Sequence, residues 1–534
     1  MSSQLSLPDL ILGNVSSHTI LRTMHDHSVL ITGAAAGVVI ALVVRYIKSP
    51  WRKLPPGPPG LPLIGNALQI VGEPWLKYSA WRKEYGDIIY LNAAGRPLVV
   101  LNNAKVANEL LDRRAGIYSD RPPMIVASEI LCGGISLPFA RYNETWRRHR
   151  KASHEALNKV VAHGLNDYQI EEALVLARNG LQNAAGWDDH LRGAAAGMML
   201  RCLYDDSPAS SEHAARVRQV NEFAVRASNT AAPGAYWVEM MPWMRHIPSF
   251  LAPWKRTVEE WNREDSDAFV SYFDTVQKTV DEGTERASLC ATLIHDSDRH
   301  QLSKLENAWL AASIYAAGSD TSRAALTWWS FAMLIYPDVQ KQAQKELDAV
   351  IGRSRVPTFA DMPHLPYICA VVKEVLRWRP TTPYGLPHHT TEDDYYEGYF
   401  IPKGTIVLAN TWEMNRDPEV YGPDAHHFNP NRHLGERGEA LTSSSGVRDD
   451  GHYSFGFGRR ICVGRHVAFN SLFIDIATCL WAFSFANVKG QELDVDAFLD
   501  TGLVVVPKPF EVDIEPRFPE ALSVLSQECE LRGR

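Results

Sequence analysis

Phe455-Gly456-Phe457-Gly458-Arg459-Arg460-Ile461-Cys462-Val463-Gly464 is the most informative segment of this 534-residue chain. Glycines on both sides of a cysteine permit tight turns and close backbone approach. Such a loop can aim several backbone N–H groups at one sulfur, and Arg459 and Arg460 add positive charge. Both effects lower a thiol's pKa and favour the thiolate. A thiolate held in a rigid loop suits axial ligation of haem iron. Other readings of the stretch are incomplete. Gly456 to Ile461 lacks the third glycine of a dinucleotide fingerprint, and the C-x3-H spacing of Cys462 and His466 gives half a zinc site with no partner half.

The remaining composition narrows the field. Lys+Arg number 54 and Asp+Glu 62, a net charge of −8, whereas nucleic-acid binders show a basic excess. The 7 cysteines include no CxxC pair, which argues against a disulfide framework and fits a reducing compartment. Apart from Cys462, they read as packing residues. No Walker A loop, HExxH or GxSxG occurs.

Helical apolar spacing dominates, as in Asp338 to Ile351 and Ile368 to Trp378. Leu302 to Tyr336 holds no proline and only Gly318 as a glycine, which predicts a helix of ~50 Å. Ala312, Ala316 and Asp320 recur at helical spacing, a small-residue face that something flat could approach. Strand-like runs are short: Ile88 to Leu91, Leu98 to Leu101, Ile406 to Leu408 and Leu503 to Val506. Gly435 to Gly451 reads as a surface loop. The fold class is mainly α with a small β region, in a single large domain over residues 63–534.

The N-terminus is organised differently. Ser28 to Val44 carry no charged side chain, and Tyr46 and Ile47 extend the apolar run. Residues 28–47 are therefore expected to form a transmembrane signal anchor. Arg45, Lys48, Arg52 and Lys53 follow it and only Arg22 precedes it, which places residues 1–27 in the lumen and the bulk of the chain in the cytosol. A cleaved signal peptide would carry its basic cluster before the apolar run. Asn14-Val15-Ser16 is a glycosylation sequon on the expected lumenal side. Residues 48–62 are basic and then proline-rich, a stiff hinge.

Several motifs now occur in a specific order. Trp146 to Arg150 resembles the WxxxR of the microsomal cytochrome P450 family, haem-thiolate monooxygenases. Ala317 to Ser322 resembles its (A/G)Gx(D/E)T(T/S), Glu374 to Arg377 its ExxR, Phe428 to Arg432 its PERF-type segment, and Phe455 to Gly464 its FxxGxRxCxG. The resemblance implies a P450 fold binding haem b, with Cys462 as the axial thiolate and metal ligand. It implies that Phe455, Gly458 and Gly464 shape the haem loop, and that Trp146, Arg150, His388 (or its neighbour His389) and Arg460 bind the haem propionates. Asp320 and Thr321 would be catalytic, delivering protons to dioxygen. Glu374, Arg377 and Arg432 would be structural. Substrate contacts would come from Pro122 to Pro138, Ala312 to Ala317, Thr381 to Leu386 with Tyr384 as a polar handle, and Thr501 to Val504.

The implied activity is hydroxylation or epoxidation of a lipophilic small molecule with O2. Electrons would come from NADPH through a separate cytochrome P450 reductase docking on Arg147, Arg148 and Lys151. The neighbourhoods of His388 and of Asn410 to Trp412 look most like fungal secondary-metabolism members. The expected location is the endoplasmic reticulum membrane, in contact with lipid, with the aromatic stretch from Tyr236 to Trp254 dipping into it. An oxygen-independent haem-thiolate isomerase or dehydratase, and a non-enzymatic haem protein, are the competing classes. The presence of Asp320 and Thr321 argues against both.

Overall fold

Ser303 caps the first turn of the longest helix through its hydroxyl, and Glu306 reaches back to the Ser303 N–H, closing a capping box. From there the helix runs 32 residues without a break, Lys304–Ile335. At 1.5 Å per residue this is about 48 Å. The computed structural model describes residue 32 and residues 36–158, 163–206, 213–232, 234–439, 441 and 450–534. The expected lumenal tail with Asn14, and most of the loop from Gly435 to Gly451, lie outside the described residues.

The helices that build the site are labelled in chain order: α1 Glu144–Leu157, α2 Asn166–Gln182, α3 Trp187–Tyr204, α4 Pro253–Asp281, α5 Ser297–His300, α6 Lys304–Ile335, α7 Pro366–Trp378 and α8 Arg465–Ala482. Two apolar clusters organise them. The C-terminal half of α6, including Trp328 and Trp329, packs with Trp378 of α7 and Trp481 of α8. Its N-terminal half, Ala308 to Tyr315, packs with α3 and α4. Residues 317–323 fall between the clusters, and α6 borders an internal cavity there and at the flanking Ser313, Ile314 and Ala325.

A small sheet completes this part. β1 Ile88–Ala93 and β2 Arg96–Leu101 form a hairpin through Ala94-Gly95, both with positive φ. β2 pairs in parallel with β4 Ile406–Ala409, which pairs antiparallel with β3 His388–His389. The order is therefore β1-β2-β4-β3. The register His388↔Val407 fixes His388 at the cavity rim. Of the expected strand Leu503 to Val506, only Val505–Pro507 is extended and paired.

The chain divides into two units. One holds the residues up to Pro55 with Asp394–Ile401; the other holds Pro56–Asp393 and Pro402–Arg534. In the first, residues 36–48 are helical, and Trp51 meets Phe400 edge-on at 6.1 Å. The strands Asp394–Tyr396 and Tyr399–Ile401 form a hairpin. Val38, Val39, Ile40, Leu42, Val43 and Val44 are exposed. Among the described residues, no helix is long and apolar enough to cross a membrane. The anchor expected over 28–47 lies partly outside them.

Candidate functional site

Cys462 enters the cavity from the loop before α8. Its N–H donates to the Phe455 carbonyl at 2.9 Å, closing the loop. Gly458 has a φ of +60°, and a Cβ there would sit 2.0 Å from the Leu111 carbonyl oxygen. Only glycine fits that approach. The Gly458 N–H donates to Asp112, which locks the loop to the neighbouring segment. Phe455, Gly464 and Cys462 all line the cavity, whose volume is about 310 Å³.

The electrostatics at the sulfur differ from the sequence expectation. Burial raises the Cys462 thiol above its ordinary value. The Gly464 N–H, Arg150 and Arg465 pull it down without overcoming that desolvation. Arg459 and Arg460 point elsewhere: Arg459 donates to the Tyr142 hydroxyl, and Arg460 to the Ser119 and Ala140 carbonyls at 2.8 Å each. In the protein alone the thiol form is therefore favoured, and a bound metal would have to displace its proton.

The α6 face on the cavity is Ser313, Ile314, Ala317, Gly318, Thr321, Ser322 and Ala325. The expected face of Ala312, Ala316 and Asp320 is one residue out of step. Ala312 is fully buried, and Asp320 does not line the cavity. Burial raises the Asp320 carboxyl above its ordinary value, opposed by Arg323 and Arg192. Thr321 lies on the cavity and donates back to the Ala317 carbonyl at 2.8 Å. The helix is continuous through Gly318. This glycine makes room for Met199 of α3: a Cβ at Gly318 would lie 2.5 Å from the Met199 methyl carbon.

Trp146, Arg150, His388 and Arg460 converge on the cavity as the sequence implied, together with Arg121. Arg150 donates to the Ile461 carbonyl at 2.6 Å, and Arg460 stacks 4.0 Å above the Trp146 ring. The Trp146 indole N–H is spent on the Leu137 carbonyl at 3.2 Å. Arg121, absent from the sequence expectations, donates to the carbonyls of Pro138, Leu386 and Pro387. Burial presses all three arginines down, Arg121 to about 10 and Arg460 to about 8, where Arg121 and Arg150 add like-charge repulsion. Among the described residues, none of the three is paired with a carboxylate. The nearby Asp120 is committed to Arg141 and the Tyr142 N–H.

His388 departs from its expected role. Its Nδ1 lies 2.9 Å from the Tyr118 carbonyl, which can only accept, so Nδ1 carries the proton. Burial, reinforced by Arg121, holds the ring down to about 3. A neutral His388 therefore turns a lone pair at Nε2 to its other side and has no second N–H for a carboxylate. His389 sits 3.5 Å from Asp120 and does not line the cavity.

Residues 55–514 match the family model for Cytochrome P450. The chain belongs to the cytochrome P450 family. It is 52% identical over 501 residues to a cytochrome P450 monooxygenase of Armillaria gallica, covering 93% of this chain and 96% of that one. It is 43% identical to cytochrome P450 monooxygenase 58 of Postia placenta, covering 93% and 95%, and 39% identical to a cytochrome P450 monooxygenase of Amanita muscaria, covering 90% and 94%. Among solved structures, a zebrafish cytochrome P450 with progesterone superposes with a TM-score of 0.69 at 26% identity, over 84% of this chain and all of that one. The protein is an oxidoreductase of the monooxygenase class, and its cofactor is haem b on a cysteine thiolate.

The cavity of this P450 fits that group on three counts. The Cys462 sulfur opens into it. Three guanidiniums beside it, Arg121 buried and Arg150 and Arg460 half-buried, have charge to spare for two propionates. Gly464 borders it with open space where a Cβ would be, since nothing lies within 4 Å.

Behind the loop, Glu374 and Arg377 are completely buried. Arg377 donates to both Glu374 oxygens at 2.7 Å and to the carbonyls of Asn415, Ala425 and His427. Arg432 bridges Glu374 to Asp424. His433, which no motif marked, lies 2.9 Å from Glu374. Burial opposes the Glu374 charge, but Arg377 and His433 hold the carboxyl down to about 2.

Three expected substrate stretches reach the cavity through Leu137 and Pro138, through Ser313, Ile314 and Ala317, and through Thr381 to Leu386 without Pro383. Burial raises the Tyr384 phenol there to about 12. None of Thr501 to Val504 lines it; Val504 packs against Ala324 instead. Met198, Met199, Cys202 and Leu203 of α3 do line it, so Cys202 is more than a packing residue.

Proposed function

We propose that this P450 hydroxylates or epoxidises a lipophilic small molecule of fungal secondary metabolism, with electrons from NADPH delivered by a separate reductase. The observation that carries this reading is a single, mainly apolar cavity shared by Cys462, the Thr321 hydroxyl and the methionines of α3. Haem b on Cys462 supplies reductive activation of O2 and transfer of one oxygen atom, the other leaving as water. The chain's own residues do the rest. Arg121, Arg150 and Arg460 bind the propionates and orient the ring. Ile314, Met198, Met199 and Leu386 exclude water and hold the substrate. Thr321 can exchange its bond to the Ala317 carbonyl for a proton donated into the cavity, one helical position from the Asp320 carboxyl. Burial raises the Asp320 carboxyl above its ordinary value, which favours its holding a proton.

Partners follow from the surface. Of the basic stripe, Lys151 is exposed, Arg147 is paired with Glu144 at 3.1 Å, and Arg148 is drawn to Glu306 and the Gln301 carbonyl. Reductase docking would therefore rest on Lys151 and Arg147. The exposed Trp237, Trp243, Phe250 and Leu251 support contact with membrane lipid, and the apolar run at residues 28–47 supports anchoring in the endoplasmic reticulum with the catalytic part in the cytosol.

The test is turnover in vesicles containing a P450 reductase and NADPH, with terpenoid and polyketide candidates under 18O2. One labelled oxygen per product is expected. Turnover that persists without O2 would overturn the reading. In Thr321→Ala, NADPH consumption should continue while product falls about 10-fold or more and peroxide rises; undiminished coupling would remove Thr321 from the proton path.

A further inference from the structure

We propose that Glu155, Asp296 and His300 form a site for one divalent transition-metal ion of the Zn2+ type, bracing α1 against the turn that precedes α6. Glu155 lies in the last turn of α1. Asp296 precedes the short helix α5 and His300 ends it, so their spacing of one helical turn puts both on one face. The chain at Gln301 then takes a left-handed conformation with a φ of 52°, and Arg148 of α1 donates to its carbonyl. That bond holds the end of α5 against α1 independently of any metal.

The donor atoms converge. His300 Nε2 lies 3.3 Å from a Glu155 oxygen and 3.9 Å from an Asp296 oxygen. One ligand atom from each residue falls within 4.8 Å of the others. Bonds of ~2.0–2.2 Å in tetrahedral geometry place neighbouring ligands about 3.3–3.6 Å apart, so the cluster needs little rearrangement to close on an ion.

A second observation sets this cluster apart from an ordinary acidic patch. His300 is 97% covered, its residue exposure being 3%, and neither ring nitrogen has a hydrogen-bond partner. The Glu155 Oε2 atom facing it is also buried and without one. Arg299 occupies the other oxygen of Glu155, Oε1, at 2.8 Å, which leaves Oε2 free. Two buried polar atoms thus face each other unbonded, and a shared cation satisfies both lone pairs at once. One imidazole and two carboxylates form a borderline donor set, suited to Zn2+ or Mn2+ more than to a soft ion. α1 also carries Trp146, Arg150 and the exposed Lys151, so the ion would stiffen the helix that lines the cavity.

The experiment uses the full-length, haem-loaded protein stripped with a chelator and titrated with ZnCl2. Calorimetry and elemental analysis should give one zinc per haem. Zinc-edge X-ray absorption should show one imidazole among oxygen ligands. His300→Ala and Glu155→Gln should each weaken binding at least about 10-fold, judged on protein that keeps its reduced CO spectrum. Should either fail to fold, Asp296→Asn at the half-exposed ligand gives the same readout. No stoichiometric zinc, an absorption edge without histidine, or variants that bind as the parent does would overturn the site; His300 would then simply donate its N–H to Glu155.

Discussion

Two groups of arginines flank the cysteine loop, and they are built on opposite electrostatic principles. Around Glu374, two carboxylates face two guanidiniums: Arg377 and Arg432 meet Glu374 and Asp424, and His433 adds a neutral donor. Around the cavity, among the described residues, Arg121, Arg150 and Arg460 donate hydrogen bonds only to backbone carbonyls. The first group is complete in the polypeptide. The second carries positive charge that Asp120 offsets only in part, and two propionates would complete the balance. One network stabilises the fold; the other holds free energy in reserve for the cofactor.

Removing one side of the balanced network should have the largest effect. Glu374→Ala leaves buried cations without their counter-charge, which costs about 3–5 kcal/mol. Expression should yield little folded protein with or without added haem, measured by circular dichroism. A Glu374→Ala protein of wild-type stability would dissolve the contrast.

The same carboxylate sets an acid limit. Its pKa is lowered from 4.5 to about 2 by folding, so its contribution is complete above pH 4.5 and is lost as the pH falls from there through about 2. An acid titration followed by tryptophan fluorescence should show stability falling across that window. A loss of stability already complete at pH 5 would assign acid sensitivity elsewhere.

Arg460→Met should behave differently. It removes a charge-assisted donor to the cofactor, worth about 1.5–3 kcal/mol, so haem affinity should fall about 10- to 100-fold. The haem-free protein should lose little stability, because a poorly balanced buried charge goes with it. Equal losses in both forms would mean that Arg460 is structural.

His388→Gln is expected to have the smallest effect. A neutral ring bonded to the Tyr118 carbonyl contributes about 0.5–1.5 kcal/mol, which corresponds to less than roughly 10-fold in haem affinity. A loss as large as that of Arg460→Met would show that haem binding protonates the ring.

Legibility in the sequence followed locality. The loop from Phe455 to Gly464, the Glu374–Arg377 pair and the helix over 304–335 could be read because each is encoded within a few residues or by one uninterrupted periodicity. Arg121 could not. It belongs to no motif, and it reaches the cavity only because distant segments, Pro138 and Leu386-Pro387, offer it carbonyls. The period of α6 was correct, but its rotation was not. Spacing shows that Ala312, Ala316 and Asp320 share a face without showing that the next face, Ala317 and Thr321, borders the cavity. At Cys462 a string of arginines gives charge but not direction, and in the protein alone burial outweighs the donors that do point at the sulfur.

The most direct test of the whole account is the absorption spectrum of the reduced, CO-bound protein. A Soret band shifted to the red, characteristic of thiolate ligation, is predicted for the parent, and its loss is predicted in Cys462→Ala. An unshifted band in folded parent protein, or a shifted band that survives Cys462→Ala, would contradict it.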